Sequence, residues 1–112
     1  MPSREQLAAL EILGYVYFRQ GRLDQAKAVF EGMLALEPGQ ARPRKHLAAI
    51  ALAKGDAGEA LLHLDAFMSG RALSSAELPA LLMKAQAYWM AGRREEGIAA
   101  LSEYTHRAGE AS

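Results

Sequence analysis

LEILGYVYFRQGRLDQAKAVFEGMLALEP, residues 10–38, is the stretch that decides the fold. Gly14 and Ala26 are small enough for two helix backbones to approach each other closely. Gly21 stands between two stretches whose apolar residues follow helical spacing. Pro38 cannot continue a helix, so it ends the second stretch. The segment therefore predicts a hairpin of two packed α-helices.

The same arrangement recurs along the chain. Gly55 in AKGDA lies 34 residues after Gly21, and Gly92 in MAGRR lies 37 residues after Gly55. A period of about 34 residues with two helices in each period is the tetratricopeptide signature. The first unit matches that pattern in order and spacing, with Leu10 where the family usually has Trp: Leu10-x2-Leu13-Gly14-x2-Tyr17, then Ala26-x3-Phe30, then Pro38.

The other two units are less regular copies. The second reads Leu47-Ala48-x2-Ala51 and Ala60-x3-Leu64, and the third reads Leu81-x3-Ala85-x2-Tyr88 and Gly97-x3-Leu101. Three extra residues fall near Arg71 to Glu77, which predicts a longer loop there. We therefore expect an all-α fold: three tetratricopeptide-like helix hairpins in a short right-handed superhelix. It would form a single domain over residues 1–112, with repeats at about 7–40, 41–74 and 78–109.

Capping residues predict where the helices begin. Ser3-x-x-Gln6 and Ser74-x-x-Glu77 are capping-box patterns, and Asp56 is a good N-cap. Pro43 and Pro79 are tolerated only in a first helical turn. We place helices at about 4–20, 23–36, 41–54, 57–69, 77–91 and 94–107.

Composition excludes several classes of function. The chain has 13 basic and 13 acidic residues and no Cys, so neither a strong field for nucleic acid nor thiol chemistry is expected. Arg42, Arg44 and Lys45 form a short basic group that reads as a solvated helix face. The polar N-terminus and the lack of a long apolar stretch argue against a signal peptide or membrane insertion. We expect a cytoplasmic protein.

Catalytic, metal and cofactor sites are not expected. His46, His63 and His106 form no metal-binding spacing and read as surface or boundary residues. Asp24, Glu95 and Glu96 fall on polar faces and read as solvation. No phosphate-binding glycine loop or nucleophile turn occurs, so we predict that the chain is not an enzyme.

Each second helix carries one apolar stripe that we assign to the core. The stripes follow i, i+3, i+4, i+7 spacing. Their residues are Ala26, Val29, Phe30, Met33 and Leu34; Ala60, Leu61, Leu64, Phe67 and Met68; and Ile98, Leu101 and Tyr104.

The first helices carry a second apolar set beyond their core residues, and we predict that it lines a groove that binds a partner. The predicted partner-binding residues are Glu11, Tyr15, Phe18, Arg19, Lys45, Ala49, Leu52, Leu82, Gln86, Trp89 and Met90. An amphipathic helix suits such a groove, with Trp89 as its main anchor. Repeat proteins need a polar capping helix at their end for solubility, and we expect the last repeat to lack one. A bound partner would then cover the apolar surface of that repeat. The alternative is that these residues pack against neighbouring repeats or the protein's own tail.

A narrower resemblance rests on two strings. LGYVYFRQGRLDQA at residues 13–26, followed by LALEPG at residues 34–39, resembles the small type III secretion chaperones of the YscY (SctY) family. Residues 82–105, with Ala85-Gln86-Ala87 and Gly92, are similar to that family's third repeat. The resemblance implies a bacterial cytosolic chaperone that holds a small secreted protein of the YscX (SctX) kind as a heterodimer. It also implies that the pair engages the export gate.

We weigh three other functions against this one. A class II chaperone of the LcrH (SycD) type also has three repeats, but it is longer and has an extra N-terminal helix. A co-chaperone for acidic heat-shock tails needs a clamp of Lys and Asn on its first helices; this chain has Glu11, Tyr15 and Phe18 there, so the clamp is absent. A structural scaffold without a client would be well behaved alone, whereas a chaperone of this kind should need its client.

Overall fold

The computed structural model describes residues 2–69 and 77–111. Six α-helices lie within those ranges: α1 (Arg4–Arg19), α2 (Leu23–Leu36), α3 (Arg42–Ala53), α4 (Ala57–Met68), α5 (Pro79–Met90) and α6 (Arg94–Ala111). The predicted all-α fold of helix hairpins is confirmed, although α6 continues past its predicted end at residue 107. None of these described helices combines the length and the apolar character that crossing a bilayer requires.

The predicted caps are present where the structure describes them. Ser3 Oγ accepts from the Gln6 amide at 3.1 Å while Gln6 Oε1 accepts from the Ser3 amide at 2.9 Å, which is a capping box. Asp56 caps α4 by accepting from the Glu59 amide at 3.0 Å. Pro43 and Pro79 both lie in first turns. Ser74 and the predicted longer loop, apart from Glu77, lie outside the described residues.

One turn geometry joins the two helices of every hairpin. Gly21, Gly55 and Gly92 have φ of +75°, +78° and +75°, the left-handed region that only glycine adopts freely. After the first turn, the Arg22 amide donates to the Tyr17 carbonyl at 2.9 Å, as in a Schellman motif. The same bond joins Asp56 to Ala51 and Arg93 to Tyr88, at 2.8 Å in both. These shared turns fix which residues of the three hairpins are equivalent.

The hairpins pack in a row. Each helix packs against its hairpin partner, and α2 and α4 also pack against α3 and α5, the first helices of the following hairpins. In addition α1 contacts α3, and α3 contacts α5. The first helices therefore lie side by side, and the molecule measures 40 × 28 × 22 Å.

The apolar core lies at the junctions between hairpins. One buried cluster joins α2 to α3 through Ala26, Phe30, Met33, Leu47 and Ile50. Two further clusters join the second hairpin to α5. Their buried residues are Ala48, Leu64, Phe67 and Ala80, and Ala51, Ala60, Leu61 and Ala87. Each hairpin therefore gains much of its stability from its neighbour, as repeat proteins do.

The predicted close approach at Gly14 is confirmed. A Cβ atom placed on Gly14 would lie 2.6 Å from Cζ of Phe30, whose side chain is fully buried. The backbone of α1 thus rests directly on this ring, and no larger residue fits without displacing it.

Ion pairs reinforce the junctions at their edges. Lys54, the C-cap of α3, pairs with Asp24 of α2, whose side chain stays exposed to solvent as predicted. Lys84 of α5 pairs with Asp65 of α4 at 3.3 Å. Such exposed pairs stabilise a fold by little, because solvent screens them, but they favour one alignment of the hairpins.

Candidate partner-binding site

Nine of the predicted partner-binding residues form three rows across the first helices. The three turn glycines align the hairpins with one another. A residue of the first hairpin is therefore structurally equivalent to the residue 34 positions later in the second hairpin, and that residue to the one 37 positions later in the third. The rows, read from α1 through α3 to α5, are Glu11, Lys45 and Leu82; Tyr15, Ala49 and Gln86; and Phe18, Leu52 and Trp89. We call this surface the inner face. Arg19 and Met90 follow Phe18 and Trp89 at its edge.

The first row holds charges that are already engaged. Glu11 Oε2 accepts from Arg42 Nε at 2.8 Å and lies 3.1 Å from His46 Nε2. Burial alone would raise the pKa of Glu11, but these two partners outweigh it and hold that pKa below its ordinary value. Lys45 Nζ lies 5.8 Å from the centroid of the Phe67 ring. Only Leu82, which is 39% exposed, offers free apolar surface in this row.

The third row shows a gradient of exposure. Phe18 is half-buried against the cluster around Phe30, and Leu52 is half-buried against the cluster around Ala51. Trp89 occupies the equivalent place in α5 and is 60% exposed. The predicted apolar groove is therefore most open in the third hairpin.

The second row is mixed in character. Tyr15 is about half exposed, Ala49 is half-buried, and Gln86 is exposed. Arg19 is also exposed, as is Met90. In this row the middle hairpin therefore contributes a small, half-buried residue between two larger exposed ones.

An apolar cavity of about 400 Å³ opens beside Trp89. It is lined by Ala85, Gln86, Trp89, Gly97, Ile98 and Leu101. Gly97 lies directly under the indole, since a Cβ there would meet Cε3 of Trp89 at 3.2 Å. The absence of a side chain at Gly97 therefore leaves room for the edge of the indole against α6.

A second cavity, of about 230 Å³, lies between α1 and α3. Glu11, Ile12, Tyr15, Arg42 and His46 line it. The hydrogen-bonded side chains of Glu11, Arg42 and His46 line one part of this cavity and Ile12 lines another, so it suits a small side chain with one polar and one apolar end. Ile12, which is 64% exposed, was not among the predicted site residues.

The core assignment of Ile98 and Leu101 was wrong. They are 48% and 49% exposed, whereas the equivalent residues of α4, Leu61 and Leu64, are 8% and 0% exposed. Within the described residues, no helix covers α6 in the way that α5 covers α4. The apolar stripes of α4 and α6 follow the same spacing, so the pattern alone does not separate them. The signal that could have identified Ile98 and Leu101 as exposed is that they belong to the third of the three hairpins.

The histidine prediction was also wrong at one position. His63 is buried, at 7% exposed, with its Nε2 3.5 Å from Glu59 Oε1 and its Nδ1 3.3 Å from Arg44 Nη1. His46 is half-buried and stacks on Phe30, with ring centroids 4.5 Å apart. Arg42, Arg44 and Lys45 each have a partner within the chain. The predicted solvated face holds for Arg42, whose side chain is 78% exposed, whereas Arg44 and Lys45 are half-buried.

Comparison with known protein families supports this architecture. Models described as Tetratricopeptide repeat match residues 17–67 and residues 78–103, which together are more than two thirds of the chain. Comparison with curated proteins finds no match.

Proposed function

Because this chain is a tetratricopeptide-repeat protein, we propose that it binds an amphipathic helix of another polypeptide on its inner face, with Trp89 as the main anchor. The observation that carries the proposal is the exposed indole beside an apolar cavity of about 400 Å³. Tryptophan in a pocket that loses water on binding is the commonest energetic anchor of protein interfaces. The proposed function involves no catalytic step.

The chemistry of the inner face favours an apolar helix over an acidic peptide. Capture of a carboxylate tail needs free cationic groups, but Arg42 is bonded to Glu11 and Lys45 lies over Phe67. The free groups are apolar instead: Leu82, Trp89 and Met90 on α5. These three residues are spaced i, i+7 and i+8 along α5. A partner helix with apolar residues at i, i+3, i+4 and i+7 would present a continuous apolar side to them.

The resemblance to the YscY (SctY) chaperones supports a specific partner. On that basis the chain acts in the bacterial cytoplasm and holds a small secreted protein of the YscX (SctX) kind as a heterodimer. An apolar client helix would be protected from aggregation while its apolar side covers the inner face. The pair would then be presented to the export gate.

Co-expression with each neighbouring gene of its operon, followed by pull-down through a tag on this chain, tests the proposal. We expect one small helical protein to copurify at a 1:1 ratio and to give a single heterodimer on size exclusion. A well-folded chain that captures none of these neighbours would contradict the secretion-chaperone proposal.

Trp89→Ala should weaken binding of the captured partner by roughly 2 kcal/mol or more, about thirtyfold in Kd, because the anchor is lost. Leu62→Ala is the matched control, since Leu62 is 64% exposed but lies on α4. It should leave Kd unchanged, as measured by titration calorimetry. If Trp89→Ala instead unfolds the isolated chain and leaves Kd of the folded fraction unchanged, Trp89 is a core residue and the proposed anchor is wrong.

A further inference from the structure

Exposed apolar side chains lie at both ends of the row of hairpins. At the N-terminal end, Ile12, Leu13 and Val16 of α1 are 64%, 42% and 42% exposed, and we call them the N-terminal end face. At the other end, Ile98 and Leu101 of α6 are each about half exposed, and we call them the C-terminal end face. The C-terminal end face adjoins the inner face, because Ile98 and Leu101 also line the cavity beside Trp89. A second copy seated there would therefore compete with a partner helix for that cavity.

The N-terminal end face carries residues that a preceding hairpin would cover. The equivalents of its three residues in α3 are His46, Leu47 and Ile50, which lie 34 positions further along the chain. His46 stacks on Phe30 of the preceding hairpin, and Leu47 and Ile50 share its buried cluster. Both of those aliphatic side chains are 2% exposed.

The C-terminal end face carries the other half of the same junction. Leu101 is equivalent to Phe30 and to Leu64, both of which are 0% exposed. Phe30 is covered by α3, and Leu64 shares a cluster with Ala80 and Met83 of α5. Met83 is in turn the α5 equivalent of His46 and Ile12. The N-terminal and C-terminal end faces therefore carry the complementary sides of a junction that forms twice within residues 2–69 and 77–111.

We propose that copies of this chain associate head to tail, with α1 of one copy seated on α6 and the end of α5 of the next. Ile12 then packs on Leu101 as His46 packs on Phe30 within the chain. Such a contact joins two different surfaces, so it repeats from copy to copy and leads to short filaments or a closed ring. The row of hairpins continues through the contact.

The residues at the places of one internal ion-pair cluster argue for a second copy as the occupant. Inside the chain, Glu11 pairs with Arg42 and His46 across a junction. At the head-to-tail contact, the equivalents of these residues are Leu82, Ala8 and Ile12, all apolar. Both sides of the head-to-tail contact therefore carry apolar side chains where the internal junction has charged ones.

The remaining junction pairs also find compatible equivalents. Lys54–Asp24 becomes Gln20 with Glu95, an amide that can donate to a carboxylate. Lys27–Glu59 becomes Ile98 with Gln25, and Lys84–Asp65 becomes Leu13 with Ser102. None of these contacts brings two like charges together, so no charge repulsion opposes the association of two copies.

Sedimentation velocity on the isolated chain, with no partner protein, tests the proposal. The mass should rise with concentration beyond that of a dimer. Ile12→Lys and Leu101→Glu should each be monomeric, with self-association weakened at least tenfold. An equimolar mixture of the two variants should associate again, because the first supplies an intact Leu101 and the second an intact Ile12. Ile12→Glu mixed with Leu101→Glu should stop at a discrete 1:1 dimer, because the two remaining faces then carry like charges.

Other results would overturn the proposal. If Ile12→Lys associates like the unaltered chain while Leu101→Glu is monomeric, the C-terminal end face pairs with itself. An unaltered chain that stays monomeric at all concentrations also refutes it.

Leu62→Glu, an exposed change on α4, is the control and should associate normally. Circular dichroism checks folding, and Val16→Lys with Ile98→Glu repeats the mixing test if either first variant unfolds. Since the assay contains no partner and leaves Trp89 unaltered, its failure leaves the proposed partner binding untouched.

Discussion

Helices α2 and α6 carry the same stripe in opposite surroundings. Phe30 of α2 is fully buried, and its equivalent in α6, Leu101, is 49% exposed. Both follow the same glycine turn and both stand four residues after a small residue, Ala26 or Gly97. The difference comes from α3, which covers α2. In a row of repeats, burial is therefore decided by the neighbouring hairpin as much as by the local pattern.

Truncating the two equivalent side chains should show this difference most strongly. Phe30→Ala should cost about 3–5 kcal/mol of unfolding free energy, because it leaves a cavity at the first junction. Leu101→Ala should cost less than about 1 kcal/mol, because half of that side chain is already in water. Urea denaturation followed by circular dichroism measures both values.

Phe30→Leu is a milder variant for use if Phe30→Ala does not fold. It should still cost more than Leu101→Ala, at about 1 kcal/mol or above. Equal losses at the two positions, measured at a concentration at which the chain is monomeric, would show that another part of the same chain covers α6.

Two identical glycine substitutions should have opposite signs. Gly14→Ala places a methyl group against the buried Phe30 ring, so it should destabilise the chain by about 1–2 kcal/mol after the gain in helix propensity. Gly32→Ala lies in α2 with nothing within 4 Å of the added Cβ, so it should stabilise by up to about 1 kcal/mol. Thermal melting of both variants tests whether α1 rests on Phe30. A gain at Gly14 would mean that it does not.

A smaller effect is expected from pH at the first junction. Burial lowers the pKa of His46 below its ordinary value of 6.5, and its contact with Glu11 only partly opposes this. The folded chain therefore binds the proton less readily than the unfolded chain, so stability should fall as pH drops below about 6.5. The pKa of Glu11 is also lowered, so its contribution is lost at still lower pH.

His46→Phe keeps a ring over Phe30 but removes the titrating group. The loss of melting temperature between about pH 7.5 and 5.5 should be smaller in this variant than in the unaltered chain. Melting curves at a series of pH values measure the slope. An unchanged slope would assign the acid sensitivity to other groups and not to this junction.

Local signals in the sequence were sufficient for the helices and turns. Ser3, Asp56 and the three turn glycines act within a few residues of their own positions, so their roles are readable from spacing alone. The close contact at Gly14 was also predictable, because the repeat pattern pairs a small residue with a large one.

Exposure within the candidate site was harder to predict, because it depends on neighbours. Periodicity placed Phe18 and Trp89 on the same face, but it did not show that Phe18 is covered by the following hairpin while Trp89 is open. Likewise, nothing local marks His63 as buried, since its partner Arg44 is 19 residues away. Long-range packing sets these differences, and a pattern read over one helix does not contain it.

Trp89 is the only tryptophan among 112 residues, and it stands on the surface that we assign to binding. Its intrinsic fluorescence should therefore resemble that of a hydrated indole even when the chain is folded. Heating should shift the emission maximum very little, whereas covering the ring should move it to shorter wavelength. The emission maximum of Trp89 should thus report whether the inner face is occupied, and it should change very little when the core unfolds.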